Sequence, residues 1–432
     1  MDYLVEPGGR LSGRLRVPGD KSISHRSIML GAIAEGTTEI TGFLEGEDAL
    51  ATMNCFRAMG VRIEGPQQGR VTVHGVGMRG LQPPRSVLDC GNSGTSMRLL
   101  TGLLAGQGFE ARLDGDASLR KRPMKRVAAP LGLMGARIDT AEEGRPPLAV
   151  RPAQRLAGID YAMPVASAQV KSALLLAGLY AEGETCVSEP APTRDHTERM
   201  LAAFGCAVRR EGNRACVRGG GRLSATRIDV PADISSAAFF LVAASIAPGS
   251  DLVLEHVGIN PTRTGIVDIL RLMGADIAVE NERLAGGEPV ADLRVRHAPL
   301  HGARIPESLV PLAIDEFPAV FVAAAHAQGE TLVTGAEELR VKESDRIAVM
   351  AEGLRALGVS AEPLPDGMRI VGGAMGGGTV ASHTDHRIAM SFAVAALRAQ
   401  GAIRIRDCDN VATSFPGFVE LAANAGLRIR TI

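Results

Sequence analysis

Apolar helical segments preceded by polar residues recur six times along the chain, with a period of roughly 70 residues. In each unit the apolar helix is followed by a small-residue turn, a strand and a second helix that stops at a glycine. Asp, Asn or Ser stands before each first helix, where a side-chain oxygen can accept hydrogen bonds from free backbone N–H groups. This pattern predicts six α/β units, whose first helices open at Lys21-Ser22, Asn92-Ser93-Gly94, Ser167-Ala168-Gln169, Asp233-Ile234-Ser235, Asp315-Glu316 and Asp385-His386-Arg387.

Six units divide most simply into two sets of three, which predicts two lobes. Proline-containing segments at Val17-Pro18-Gly19-Asp20 and Val230-Pro231-Ala232-Asp233 precede the first and fourth units and indicate crossovers. We expect an N-terminal lobe over residues 21–232. The C-terminal lobe is expected to combine residues 1–20 with residues 233–432, because so short an N-terminal segment cannot bury a core of its own.

Composition and charge exclude several classes of protein. The 432 residues carry a net charge of −1, so no overall field favours nucleic acid or an anionic membrane. The N-terminus has no basic and apolar export signal, and the longest apolar stretch, Ala237–Ala247, is too short to span a bilayer. We expect a cytoplasmic protein without membrane or nucleic-acid partners.

The six cysteines show neither C-x-x-C spacing nor a pairing with histidine that is typical of metal sites. We therefore expect reduced, buried thiols and no metal ion. The cysteines are Cys55, Cys90, Cys186, Cys206, Cys216 and Cys408.

Cations and small polar residues gather at the predicted helix starts of the first lobe. A helix N-terminus offers free N–H groups and about half a positive charge, to which Lys21 and Arg26 add full charges, so phosphate or carboxylate is the natural ligand. Each start taken alone is also compatible with ordinary capping in solvent. The further candidates are Ser22, Gly94, Arg122 in a basic run, Ser167 to Gln169, and Arg194.

The second lobe adds carboxylates to the cations. Acids set among Lys and Arg are candidates for proton transfer, because neighbouring charges tune their ionisation. Salt bridges along a solvent-facing helix are the alternative interpretation. The residues concerned are Asp315, Lys342, Glu343, Arg346 and Arg387.

Eight motifs, in this order along the whole chain, resemble the EPSP synthase family of enolpyruvyl transferases. That resemblance implies an α/β fold of two inside-out lobes, each of three β-α-β-α-β-β repeat units, with an interdomain cleft. The motifs are D-K-S-I-S-H-R (20–26), G-N-S-G-T (91–95), R-P-M (122–124), S-A-Q-V-K (167–171), R-D-H-T-E (194–198), I-D-E-F-P (314–318), V-K-E-S-D-R (341–346) and D-H-R-I-A-M (385–390).

The resemblance also implies the reaction. Phosphoenolpyruvate gives its carboxyvinyl group to the 5-hydroxyl of shikimate 3-phosphate and phosphate is released, a step of the shikimate pathway to chorismate and the aromatic amino acids. The family needs no metal and no organic cofactor, and we expect a monomer. Glyphosate occupies the phosphoenolpyruvate site, and the small residue Gly94 predicts sensitivity to it.

Residue roles follow from the same resemblance. Asp315, Glu343 and Lys21 are the expected catalytic groups, and the division of proton transfer among them stays open. The residues expected to contact shikimate 3-phosphate are Lys21, Ser22, Arg26, Ser167, Ala168, Gln169, Arg194, Asp315 and Lys342. Those expected to contact phosphoenolpyruvate are Lys21, Gly94, Arg122, Gln169, Arg346 and Arg387.

One departure from the family pattern lies near the C-terminus. Many relatives carry a lysine before the final Phe-Pro, whereas this chain has Ala412, Thr413 and Ser414 there. That phosphate contact is therefore missing or supplied by another group. In addition, Ala168 replaces a second serine that some relatives have.

Two other functions are the alternatives to this reaction. A UDP-N-acetylglucosamine carboxyvinyltransferase would carry a reactive cysteine in the loop before Arg122-Pro123, but residues 116–121 contain no thiol. A phosphate-sensing protein or a relative of RNA 3′-phosphate cyclase is disfavoured by the near-zero net charge and by the acids Asp315 and Glu343.

Overall fold

The computed structural model describes all 432 residues, which form two compact units. The N-terminal unit contains Gly19–Val230 together with Ala285–Glu288. The C-terminal unit contains Met1–Pro18, Pro231–Leu284 and Pro289–Ile432. Nothing in the sequence pattern signals that residues 285–288 join the N-terminal unit, where Glu288 Oε1 lies 2.8 Å from His196 Nδ1.

Helices and strands alternate along the chain, which confirms the predicted α/β class. The helices are α1 (Lys21–Ile33), α2 (Glu47–Ala58), α3 (Gly94–Ala105), α4 (Lys125–Leu133), α5 (Ala168–Gly178), α6 (His196–Ala203), α7 (Ile234–Ile246), α8 (Gly265–Leu272), α9 (Val310–Ala313), α10 (Phe317–His326), α11 (Arg346–Ala356), α12 (His386–Ala395) and α13 (Phe418–Ala425).

The strands are β1 (Tyr3–Glu6), β2 (Ser12–Leu15), β3 (Glu35–Thr41), β4 (Arg62–Gln67), β5 (Arg70–Val76), β6 (Leu88–Asp89), β7 (Ala111–Asp114), β8 (Arg137–Thr140), β9 (Leu148–Arg151), β10 (Asp160–Ala162), β11 (Glu184–Ser188), β12 (Val208–Glu211), β13 (Arg214–Arg218), β14 (Arg227–Asp229), β15 (Asp251–Gly258), β16 (Asp276–Ala285), β17 (Glu288–Arg296), β18 (Glu330–Val333), β19 (Ser360–Leu364), β20 (Gly367–Val371), β21 (Gly378–Ala381), β22 (Ile403–Arg406) and β23 (Arg428–Thr431).

Each predicted unit forms one small sheet with its two helices. The second unit runs β6, α3, β7, α4, β8 and β9, and its sheet has the order β6-β7-β9-β8. The first, fourth and sixth units each include a strand from far along the chain. Strand β14 pairs parallel to β3, β2 pairs parallel to β15, and β1 lies between β22 and β23. The N-terminal strand is thereby an integral part of the last sheet.

The first helix of each unit is buried around most of its circumference. All 13 residues of α7 are buried, and α7, α10 and α12 pack against one another in the core of the C-terminal unit. A helix that is apolar on every side is stable only when it is surrounded, and the sheets and second helices surround these three. None of the helices combines the length and the apolar character that a bilayer crossing requires.

Five of the six first helices begin at a residue with a capping side chain, as the sequence predicts. The side chains of Asp20, Ser93, Ser167, Asp233 and Asp385 accept backbone N–H hydrogen bonds. The prediction is wrong for α10, where neither Asp315 nor Glu316 caps the helix. Pro318 lacks an N–H, which reduces the need for a cap, and the Asp315 carboxylate bonds cations instead.

Helices α3 and α5 cross in close contact at Gly102. A Cβ atom at Gly102 would lie 2.2 Å from the carbonyl oxygen of Ala173, so the two backbones meet where no side chain fits. This crossing holds the starts of both helices, which carry predicted site residues, in a fixed relation.

Replacing Gly102 by Ala is expected to destabilise the protein by about 1–3 kcal/mol, because the added methyl group must push α3 and α5 apart. Thermal and urea denaturation would measure the change. The matched control is Gly132→Ala in α4, where the new Cβ meets nothing within 4 Å. That variant should gain about 0.5–1 kcal/mol from helix propensity. If Gly102→Ala does not lower the free energy of unfolding relative to Gly132→Ala, the close crossing of α3 and α5 is contradicted.

The expectation that all six cysteines are reduced is wrong for two of them. Cys186 and Cys216 are directly opposite residues of the antiparallel strands β11 and β13, with Cα atoms 4.1 Å apart, and they form a disulfide. The expectation failed because the two cysteines become neighbours only through sheet pairing. The other four are free, and of these Cys55, Cys90 and Cys408 are buried.

Candidate active site

Lys21 lies at the first position of α1, where Asp20 caps the helix by accepting from the N–H of Ile23 at 2.8 Å. The Lys21 Nζ atom donates to Asp48 Oδ2 at 2.9 Å. Asp48, at the start of α2, is buried and was not predicted as a site residue. The Asp48 carbonyl also accepts from Ser96 Oγ, which links the start of α1 to α3.

Arg26 is buried one turn further along α1, and its guanidinium is held by protein groups. It donates to Thr197 Oγ1 at 2.7 Å, to Ser172 Oγ at 2.8 Å and to the Ser22 carbonyl at 3.0 Å. Burial lowers the pKa of Arg26 to about 10, against the opposing effect of the nearby Glu198 carboxylate. Arg26 therefore fastens α1 to α5 and α6, and it stays positively charged at neutral pH.

Gly94, the first residue of α3, faces two arginines. A Cβ atom at this position would lie 3.0 Å from Arg98 Nη1 and 3.3 Å from Arg122 Nη1. Arg122 also donates to Asn92 Oδ1 at 2.6 Å. Two guanidinium groups thus lie beside the first residue of α3, a glycine that leaves the backbone N–H groups accessible. Such an arrangement is typical of an anion-binding site.

Gln169 joins the starts of α3 and α5. Its Oε1 accepts from Arg98 Nη1 at 2.5 Å and its Nε2 donates to Thr95 Oγ1 at 3.0 Å. Arg98 is absent from the predicted ligands, although its spacing of one helical turn from Gly94 was a usable signal. Ser167 caps α5 through the N–H of Val170 at 3.4 Å, and Ala168 is the first residue of that helix.

Arg194 lies in the loop between β11 and α6 and is half-buried. Its charge acts on the neighbouring Arg26 and contributes to lowering the Arg26 pKa. The predicted residues of the N-terminal unit therefore lie at the starts of α1, α3 and α5 and in the loops before α4 and α6, and they comprise Lys21, Ser22, Arg26, Gly94, Arg122, Ser167, Ala168, Gln169 and Arg194.

Arg346 is the centre of a second group, in the C-terminal unit. The side chain is buried at the first position of α11. Its guanidinium lies 2.7 Å from Glu343 Oε2, 2.9 Å from Asp385 Oδ2 and 3.4 Å from Asp315 Oδ1. Lys342 Nζ approaches the same Asp315 oxygen at 3.3 Å. Three carboxylates up to 70 positions apart, counting from Asp315 to Asp385, thus meet around one arginine, and Lys342 joins the group through Asp315.

Charge pairing outweighs burial at the centre of this group. Burial acts to lower the pKa of Arg346, but Asp385, Glu343 and Asp315 together raise it above the usual value. Burial acts to raise the pKa of Asp385, and Arg346 reverses this and leaves the pKa lowered. Asp385, which caps α12, is therefore also the carboxylate that pairs with Arg346 in the core.

Arg387 belongs to a neighbouring set of polar side chains in the same unit. Its Nη1 lies 3.9 Å from Glu316 Oε1, and the buried Glu316 carboxylate also accepts from the Ser235 hydroxyl. Arg263 donates to Ser235 Oγ at 2.8 Å and to Asp233 Oδ1 at 3.0 Å. No motif pointed to Arg263, because it lies outside the predicted helix starts.

The segment without the family lysine forms a short 3-10 turn over Asp409–Thr413. Thr413 and Ser414 are buried, and Ser414 Oγ lies 3.2 Å from His386 Nε2. Hydroxyl groups therefore occupy this place next to α12, and no cation replaces the lysine within the segment.

Comparisons with known proteins agree with this geometry. The model of the EPSP synthase (3-phosphoshikimate 1-carboxyvinyltransferase) family matches residues 5–421. The 3-phosphoshikimate 1-carboxyvinyltransferase of Alkalilimnicola ehrlichii is 73% identical over 99% of this chain and 96% of its own length. That of Methylococcus capsulatus is 70% identical over 99% of this chain and 98% of its own length.

A solved structure resembles the fold equally closely. EPSP synthase from Acinetobacter baumannii superposes with a TM-score of 0.90 and 60% identity, covering 99% of each chain. A family match over nearly the whole length, relatives at this identity and the same fold leave one assignment. The chain belongs to the EPSP synthase family, the 3-phosphoshikimate 1-carboxyvinyltransferases.

Proposed function

We propose that the two groups of residues bind phosphoenolpyruvate and shikimate 3-phosphate and transfer the carboxyvinyl group between them. One observation carries the proposal: Asp315 and Glu343, the two candidate proton-transfer groups, flank the same buried arginine with Lys342 beside them. Two acids held next to cations suit a reaction of two anions that needs both a base and an acid.

The reaction is an addition followed by an elimination. Protonation of the methylene carbon of phosphoenolpyruvate makes C2 electrophilic, and the 5-hydroxyl oxygen of shikimate 3-phosphate forms a bond to C2 while losing its proton. The tetrahedral adduct then loses a proton from the new methyl group. The C2–O bond to phosphate breaks, and phosphate leaves with the electron pair.

Shikimate 3-phosphate is held mainly by the N-terminal group. Lys21, Ser22 and the start of α5 present a cation, a hydroxyl and free N–H groups, which bind phosphate and hydroxyl oxygens. Arg194 supplies a further guanidinium to the phosphate or the ring, and the positive charge of the neighbouring Arg26 adds to the attraction for the anion. Asp315 and Lys342 contact the reacting side of the molecule.

Phosphoenolpyruvate is held by guanidinium groups near three helix starts, those of α3, α11 and α12. Arg122 and the N–H groups after Gly94 bind one anionic group, with Lys21 and Gln169 close to both ligands. Arg346 and Arg387 bind the other. Arginine suits this role because its planar fork matches carboxylate and phosphate oxygens in pairs.

Proton transfer is assigned to the two acids. Asp315 accepts the proton of the attacking hydroxyl, and Glu343 gives a proton to the methylene carbon and takes one back in the elimination. In this structure Glu343 is bound to Arg346, so an anionic substrate group that replaces it on Arg346 frees the carboxyl group for this work. Lys21 assists the departure of phosphate.

A phosphate-release assay tests the proposed function. Phosphate should appear only when phosphoenolpyruvate and shikimate 3-phosphate are both present. Phosphate release with UDP-N-acetylglucosamine as the acceptor, or turnover of an RNA 3′-phosphate end, would contradict it. The monomeric state and the cytoplasmic location stay predictions from the sequence, and gel filtration tests the first.

Gly94→Ala tests the phosphoenolpyruvate site. The wild-type enzyme should be inhibited by glyphosate in competition with phosphoenolpyruvate. The added methyl group would contact Arg98 and Arg122, so the glyphosate inhibition constant should rise by about 10–200-fold, with a smaller rise in KM for phosphoenolpyruvate. Gly108→Ala, whose Cβ meets nothing within 4 Å, is the matched control. If Gly94→Ala and Gly108→Ala have the same glyphosate inhibition constant, glyphosate does not bind next to Gly94.

A further inference from the structure

Lys171 is a buried cation to which the proposed function gives no role. It lies one turn into α5 and is 2% exposed. Its Nζ atom is 2.8 Å from Glu198 Oε1 and 3.1 Å from Glu189 Oε2, and both carboxylates are themselves buried. Taking three charges out of water costs more free energy than an apolar cluster of the same size, so the arrangement calls for a functional reason.

Glu189, which is paired with Lys171, also fixes the conformation of the loop that follows β11. Its two carboxylate oxygens accept from Thr193 Oγ1 at 2.5 Å and from the Thr193 N–H at 3.2 Å. Lys171 Nζ also donates to the Thr193 carbonyl at 3.5 Å. The segment 189–193 is thereby closed around the lysine, and the next residue in the chain is Arg194.

Glu198 connects the same lysine to the surroundings of Arg26. The neighbouring Thr197 hydroxyl accepts from Arg26 Nε and donates to Ser172 Oγ at 2.7 Å, and Ser172 follows Lys171 in α5. The negative charge of Glu198 acts to raise the Arg26 pKa, whereas Arg194 acts to lower it.

Two cations of this network are held by buried protein groups. Lys171 is bonded to Glu198, and Arg26 is bonded to Ser172. Arg194 lies at the partly exposed end of the same network.

We propose that Lys171 is a positioning residue that holds the loop of Glu189 and Thr193 so that Arg194 meets shikimate 3-phosphate. The inference rests on the proposed role of Arg194 as a contact to that substrate. Lys171 does not contact the substrate itself. It acts by holding the conformation of segment 189–193, which leads into Arg194.

Two variants remove the support in different ways. Lys171→Met deletes the buried cation, and Thr193→Val deletes the hydroxyl that anchors the loop without leaving a buried charge unpaired. Both should raise KM for shikimate 3-phosphate about tenfold, while KM for phosphoenolpyruvate stays within about twofold. Thr193→Ser, which keeps the hydroxyl, should behave as wild type. If Lys171→Met does not fold, Thr193→Val carries the test.

A control variant separates positioning from general loss of stability. Val217→Ala removes two methyl groups from the buried face of β13, away from the loop, and should lower the midpoint of thermal unfolding without changing either KM. If Thr193→Val changes only the unfolding midpoint, or raises both KM values equally, the inference is overturned.

Arg194→Ala completes the test. When Lys171 acts through Arg194, adding Lys171→Met or Thr193→Val to Arg194→Ala should raise KM for shikimate 3-phosphate no further. Effects that multiply in the double variant would overturn the inference and leave the role of Arg194 intact. An Arg194→Ala variant with unchanged KM for shikimate 3-phosphate would instead refute the proposed contact and the inference together.

Discussion

Replacing Glu343 by Gln is expected to lower kcat by about 10²–10⁴-fold, while KM for both substrates changes little. Glutamine keeps the size of the side chain and an oxygen that can accept from Arg346, so the 2.7 Å contact of Glu343 with Arg346 can persist. What the variant lacks is an acid that can give a proton to the methylene carbon of phosphoenolpyruvate and take one back. Single-turnover measurements with both substrates bound would show the loss directly.

The control for this variant is Glu337→Gln, a neutralisation of the same type at an exposed position six residues earlier. It should leave kcat unchanged, which excludes a general effect of removing one negative charge from this segment of the chain. If Glu343→Gln loses substrate binding and turnover in equal measure, Glu343 orients Arg346 and transfers no proton. Asp315→Asn, measured in the same way, would then decide whether Asp315 provides both proton transfers.

Replacing Arg346 by Met is expected to destabilise the C-terminal unit by about 3–5 kcal/mol and to abolish measurable binding of phosphoenolpyruvate. The loss of stability follows from Asp385, which is fully buried and whose lowered pKa depends on Arg346. Without the guanidinium, Asp385 must either stay ionised in the core or take up a proton.

The double variant Arg346→Met/Asp385→Asn separates the two effects. It removes the uncompensated charge, so it should regain part of the stability lost in the single variant and none of the affinity for phosphoenolpyruvate. Urea denaturation and calorimetric titration would report the two quantities. Arg369→Met, in which an exposed arginine with ion-pair distances of 3.7 and 3.9 Å is lost, should cost less than about 0.5 kcal/mol. A single variant as stable as this control would contradict the central role of Arg346.

The residues of the candidate site could be found from the sequence because they stand at helix starts. A cap, the free N–H groups behind it and a cation one turn away are neighbours along the chain, so Lys21, Arg26 and Gly94 were recognisable as a local pattern. The family resemblance then added roles to positions such as Arg194 and Lys342. The hydrogen bond between Arg98 and Gln169 shows the limit of this approach, because it depends on the packing of α3 against α5.

Supporting residues could not be found in this way. Asp48 reaches Lys21 from another helix, and Asp385 reaches Arg346 across 39 positions of the chain. In the sequence, Lys171, Glu189 and Glu198 look like ordinary surface charges. Only the burial of their side chains in the structure distinguishes them. Ion pairs of this kind depend on which elements lie side by side, and hydrophobic periodicity does not encode that.

The chain's own pattern specified the six repeats, their helix starts and their glycine stops, because capping and left-handed turns depend on residues within a few positions of each other. Folding in three dimensions decided that β14 completes the first sheet, that β1 lies inside the last, and that Cys186 meets Cys216. These pairings join residues from about 30 to more than 400 positions apart. Such contacts arise from the packing of whole helices and strands against one another, so a local sequence pattern does not predict them.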